Sequence, residues 1–160
     1  KDLGNLLNRV VTMTNRYRGG TIPAPGPVGA FEQDLQRVAT ETHSRAEAAL
    51  EAWEIGNALS IIWGLVRRAN QYIEQSEPWK LARQSDKQEQ LDTVLYSAAE
   101  AVRLLAIYLA PFMPSASNRI LSQLGLEPVS ETAWVREGIW GSRALSHVST
   151  GAQLFPRIEV

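Results

Sequence analysis

Along most of this chain apolar residues recur every three or four positions, the spacing that lines one face of a helix. From Leu3 to about Arg18 the inward positions are Leu3, Leu6, Leu7, Val10, Val11, Thr14 and Tyr17. Gly19-Gly20 closes that helix, because glycine takes up the left-handed backbone of a helix end without steric cost. Pro23, Pro25 and Pro27 make the stretch to Gly29 a stiff connector. A second helix is predicted from about Phe31 to Glu51, with Phe31, Leu35, Val38, Ala39, Thr42, Ala46, Ala49 and Leu50 inward. A third begins near Glu54 and turns Ile55, Ala58, Leu59, Ile62, Trp63, Val66, Ala69, Asn70 and Ile73 inward until Pro78 stops it. The fourth, about Lys87 to Leu109, is the most strongly patterned, through Leu91, Val94, Leu95, Ala98, Val102 and Leu105. Pro111 and Pro114 interrupt the way into a shorter fifth helix ending at Leu124-Gly125.

The pattern predicts an all-α fold, an antiparallel five-helix bundle over residues 1–125, since no stretch before residue 130 alternates like a strand. Residues 126–160 form an irregular C-terminal tail with Trp134, Trp140, Pro128 and Pro156 and no sustained period. Its end, Leu154-Phe155-Pro156-Arg157-Ile158, is too apolar to hang free. It must pack back on the bundle or on an absent neighbouring domain.

Composition narrows the class. Of 160 residues 44% are hydrophobic, enough to bury a core without cross-links. The lack of cysteine excludes disulfides, a thiol nucleophile and cysteine-ligated zinc, and fits a reducing compartment. No run approaches the ~20 apolar residues of a membrane span, and no signal peptide opens the chain. A start without methionine, inside a helical pattern, predicts a piece of something longer. The net charge of −1 argues against indiscriminate binding of polyanions. It is unevenly spread, however: Lys1, Arg9, Arg16 and Arg18 face only Asp2 in residues 1–20, a local +3. One basic end can steer a nucleic acid on a near-neutral protein.

A search for catalysis finds no glycine-rich phosphate loop. His43 and His147 lack a partner pattern, and Glu47 and Glu51, one turn apart, suit a solvated face. The chain has the character of a binding module. Two places stand out. Asn5, Asn8, Arg9, Thr12, Asn15 and Arg16 crowd hydrogen-bonding groups onto one helix face, either a solvated exterior or a surface for base edges. Trp79, directly after Pro78 and beside Lys80 and Arg83, is either a core tryptophan or a stacking platform for an unpaired base.

Here the residues match a family. Asp2-Leu3-Gly4-Asn5-Leu6-Leu7-Asn8-Arg9 closely resembles the start of the anticodon-binding bundle of methionyl-tRNA synthetases. Asn70-Gln71-Tyr72-Ile73 followed by Pro78-Trp79, and then Leu154-Phe155-Pro156-Arg157-Ile158, are similar to that family in order and spacing. The resemblance implies a cytoplasmic class I synthetase whose bundle binds the CAU anticodon of methionine tRNA. Methionine activation with ATP would belong to an absent Rossmann domain of the same chain. The His-Ile-Gly-His and Lys-Met-Ser-Lys-Ser type motifs are missing here, as is the family's zinc-binding insertion. The chain alone should therefore be inert as an enzyme and hold no cofactor, with ATP and any zinc belonging to the missing parts.

Residue by residue, the resemblance makes Trp79, after Pro78, the tryptophan on which an anticodon base stacks. Arg16 falls where the family has an arginine one turn beyond its anticodon-reading asparagine. That asparagine is replaced here by Thr12, which leaves the base contact to Thr12, Asn8 or Asn15. Two alternatives remain: the anticodon domain of another class I synthetase (valyl, leucyl, isoleucyl or cysteinyl), and a helical protein-interaction module.

Overall fold

The structure is a computed structural model that describes residues 2–128 and 133–156. Five helices of ten residues or more build it: α1 (Asp2–Arg18), α2 (Ala30–Glu51), α3 (Ile55–Ser76), α5 (Gln88–Leu109) and α6 (Pro114–Gln123). Two short helices, α4 (Pro78–Leu81) and α7 (Ala133–Glu137), have too few residues to show a period in the sequence. Among the described residues there is no strand, only an antiparallel bridge between Thr21 of the connector and His147 of the tail. The long helices begin and end within one or two residues of their predicted limits. The fold is all-α, as the periodicity predicts.

Helix α5 sits at the centre. From Ser97 to Leu109 every residue of it is buried, so this part of the helix has no solvent face. Polar side chains on such a helix must find partners inside, because an unpaired buried polar group costs on the order of 1–3 kcal/mol. Glu100 and Arg103, both fully inaccessible, pair with each other. Arg103 also donates to the Glu137 carbonyl at 2.6 Å and to the Ile139 carbonyl at 2.9 Å. Glu100 accepts from the Gly141 backbone N–H at 3.1 Å, and Tyr108 donates to the Gly138 carbonyl at 2.6 Å. Burial holds the Glu100 carboxyl above its ordinary range, against the pull of Arg103. The tail's irregular backbone thus finds in α5 the partners that regular structure would supply.

Helix α1 lies against α3 and α5. Asn70 donates to the Asp2 carbonyl at 3.3 Å and Arg9 pairs with Glu74 at 2.6 Å, so α1 and α3 run in the same direction. Arg18 reaches Asp92 near the start of α5 at 2.6 Å, so α5 runs against them. Helices α2 and α3 form a hairpin whose turn holds Trp53 at a positive φ of 61°. The tail crosses this frame. The Ile22 N–H donates to the Ser146 carbonyl, and the Val148 N–H to the Gly20 carbonyl, both at 2.8 Å. Leu154 is buried and its carbonyl accepts from Arg119 at 3.1 Å.

Three positions differ from the periodic expectation. Phe31 and Ile55, predicted inward, are 47% and 48% exposed. Both lie in the first turn of their helix. In α2 the inner place goes instead to Glu32, whose carboxylate accepts from the Gly29 N–H at 3.2 Å. Phe155, counted as apolar anchor, is 44% exposed, while Arg157 and Ile158 lie outside the described residues.

Replacing Arg103 by methionine should cost about 3–5 kcal/mol in urea denaturation, because Glu100 is left buried and unpaired. The double variant Glu100→Leu, Arg103→Met should recover only part of that loss. The Glu137 and Ile139 carbonyls would still be one donor short, keeping only the Ser142 hydroxyl and the Ser142 N–H.

Candidate nucleic-acid interface

The Pro78-Trp79 turn is built by the end of α3. Glu77 leaves the right-handed helical region (φ 48°, ψ 57°), as residues before proline tend to do. Pro78 then opens α4 with its φ already set for a first helical position. The proline is buried and holds the turn in place, while Trp79 is half-buried. The side chain packs against the core and stays partly accessible. Lys80 on the same turn pairs with Glu77 at 2.8 Å, both well exposed.

On α1, Asn8, Thr12, Asn15 and Arg16 are all exposed. Arg9, singled out with them in the sequence, is half-buried and committed to Glu74. Asn8 and Thr12 line a cleft of about 430 Å³ whose other wall is Gln123 and the tail from Thr150 to Phe155. The tail lies close to α6 because residue 151 is glycine: a Cβ there would sit 2.9 Å from the Gln123 amide. Asn15 faces Thr150, at 3.5 Å, and Gly20 makes room for it, since a Cβ would meet its Oδ1 at 2.9 Å. The Arg16 guanidinium carbon lies 5.9 Å from the centre of the Tyr17 ring.

These two groups of residues lie at one end of the bundle. From Arg9, level with Glu74, α1 rises about 10 Å to Arg16, which carries it past the end of α3 to the level of α4. A hydrogen-bonded link then joins α1 to the turn. Arg18 donates to Asp92 at 2.6 Å, to the Gln88 side-chain oxygen at 3.1 Å and to the Gln88 carbonyl at 3.2 Å. The Gln88 amide nitrogen donates to the carbonyls of Gln84 at 2.8 Å and Leu81 at 3.4 Å. Gln88 therefore presents its oxygen to α1 and its nitrogen to α4 and the turn after it. Arg18, Gln88, Asp92, Gln123 and Thr150 escape sequence reading because their partners are far along the chain. Only the basic last turn of α1 gave a local sign of one of them.

A family profile described as the anticodon binding domain of methionyl tRNA ligase matches residues 22–158. The chain belongs to that family. Its curated relatives include the methionine–tRNA ligases of Bacillus subtilis, 41% identical over 159 residues, and of Caldanaerobacter subterraneus, 39% identical over 159 residues. Each alignment covers 99% of this chain but only 24% and 25% of the relative. The chain thus spans about a quarter of their length. Among solved structures, free Mycobacterium tuberculosis methionyl-tRNA synthetase superposes with a TM-score of 0.87 at 26% identity. That match covers all of this chain and 32% of the other; the same enzyme bound by methionyl-adenylate gives a TM-score of 0.85, again at 26% identity, over 98% of this chain and 31% of that one. Membership of the methionyl-tRNA ligase anticodon domain displaces both alternatives, a different class I synthetase and a protein-interaction module. The profile begins after α1, so the polar face of α1 is matched through the relatives rather than through it.

Arg18→Met should lower stability by about 1.5–3 kcal/mol, the range for hydrogen bonds to charged groups, as measured in urea. In the same variant the indole N–H resonance of Trp79 should move, while that of Trp53, 86% exposed at the far hairpin turn, stays in place.

Proposed function

We propose that this chain reads the CAU anticodon of methionine tRNA as one part of a methionine–tRNA ligase. The observation that carries the reading is the Arg18–Gln88 link, which ties the helix bearing the exposed amides and hydroxyl to the turn of the half-buried Trp79. An unpaired base can stack on the free face of Trp79, an interaction that tolerates any base. Discrimination then falls to the α1 face. Asn8 and Asn15 offer amides that donate and accept side by side, Thr12 offers one hydroxyl, and Arg16 offers a fork of donors. The cleft between α1 and the tail places backbone groups of residues 150–155 beside Asn8 and Thr12.

ATP-dependent charging of the tRNA is assigned to the catalytic Rossmann domain of the same ligase, along with ATP and any zinc. A cytoplasmic setting goes with this reading of the family. No helix among the described residues is long and apolar enough to cross a membrane. Affinity of this chain alone should be modest and salt-sensitive, because phosphate contacts dominate nucleic-acid binding and few free cations lie here.

Binding of cognate and altered anticodon stem-loops to two variants tests the reading. Trp79→Ala should lose about 1–3 kcal/mol, roughly five- to 150-fold, on every loop that reaches the turn. Arg16→Ala should lose a similar amount mainly on the cognate loop, so discrimination relaxes. Normal cognate binding by a folded Trp79→Ala protein would remove the stacking role. A uniform Arg16→Ala loss with a salt slope reduced by about one would make Arg16 a phosphate contact.

A further inference from the structure

On α3 one stripe of residues at helical spacing runs Gly56, Leu59 and Ser60, Trp63, Arg67, Asn70 and Glu74. Its second half is polar and faces α1: Arg67, Asn70 and Glu74 share a cleft with Asp2, Asn5 and Arg9. Its first half lies beyond the start of α1, and among the described residues no second helix lines the groove there. There Gly56, Leu59, Ser60 and Trp63 face Phe112 and Met113, just past the end of α5, across a groove of about 650 Å³. Ser60 is the one polar residue in that lining. A Cβ added at Gly56 would meet nothing within 4 Å, so the groove floor is open. Since α3 and α5 run in opposite directions, this groove continues the one that α1 occupies. From Asn70, level with Asp2, to Trp63 is seven residues, about 10 Å along α3.

We propose that this apolar groove is the seat of the ligase segment that leads into α1 from the catalytic part. The proposal rests on the functional reading above only in taking the chain to be part of a ligase. Two observations select this occupant. The groove is collinear with α1, so a chain arriving at Asp2 along α1's own line passes over Trp63 within about three extended residues. The relatives are also about four times as long as this chain, so chain is available to cover it. The occupant presents large aliphatic or aromatic side chains to Leu59, Trp63, Phe112 and Met113. It ties the catalytic part to the bundle at the end remote from Trp79.

Hydrogen exchange read by mass spectrometry on the full-length ligase and on this 160-residue chain tests the assignment. Peptides spanning residues 56–63 and 109–113 should exchange at least tenfold more slowly in the full-length ligase, at every protein concentration. Leu59→Asp in the full-length ligase should abolish that protection while leaving its affinity for the anticodon stem-loop unchanged. Equal exchange in the two proteins would overturn the proposal. Protection that appears in both and fades on dilution would assign the groove to a second copy and overturn it too. Protection that survives Leu59→Asp would also overturn it. Loss of stem-loop affinity by Trp79→Ala is read separately, so the anticodon reading can fail while the groove assignment stands, and the reverse.

Discussion

The structure depends on one helix having nowhere to face water. Because α5 is enclosed from Ser97 to Leu109, each polar side chain on that stretch has to be answered from within. The Glu100–Arg103 pair meets this demand by reaching outward to the Glu137 and Ile139 carbonyls and the Gly141 N–H of the tail. The consequence is mutual. The tail is ordered along α5 because it answers buried charges, and the charges are tolerated because the tail is there. Further along, the tail from Thr150 to Phe155 forms a wall of the cleft beside Asn8 and Thr12.

The same central helix sets the candidate interface. Its first residue, Gln88, stands between the end of α1 and the turn that carries Trp79, and its amide addresses both. An amide is suited to this position because Arg18 needs an acceptor while the Leu81 and Gln84 carbonyls can each take a second donor. Recognition of an anticodon requires a stacking face and base-edge partners at a defined separation, and a link through rigid elements supplies one. In the proposed reading, affinity resides in exposed groups, while their spacing resides in a half-buried network remote in sequence.

Much of this was legible in the chain. The five long helices follow from apolar spacing and from Gly19, Pro78, Pro114 and Gly125, since both signals are local. The Pro78-Trp79 turn was visible for the same reason, and the half-buried Trp79 shares features of both roles the sequence left open. Local patterns fail where the deciding contact is distant. Glu100 and Arg103 lie off the apolar stripe of their helix, yet they are its most buried charges. Arg9 looked like one of the interface groups until Glu74, 65 positions away, claimed it. Phe31 and Ile55 satisfy the helical period yet stay half exposed, and beside Phe31 it is Glu32 that turns inward.

The central claim is that the α1 face and Trp79 act as one surface. A two-dimensional NMR titration of this chain with a CAU anticodon stem-loop tests it most directly. The side-chain amides of Asn8 and Asn15 and the indole N–H of Trp79 should shift together, on one binding curve. The indole N–H of Trp53 should not respond. Shifts confined to α1, or a Trp79 resonance that follows a separate and weaker curve, would contradict it.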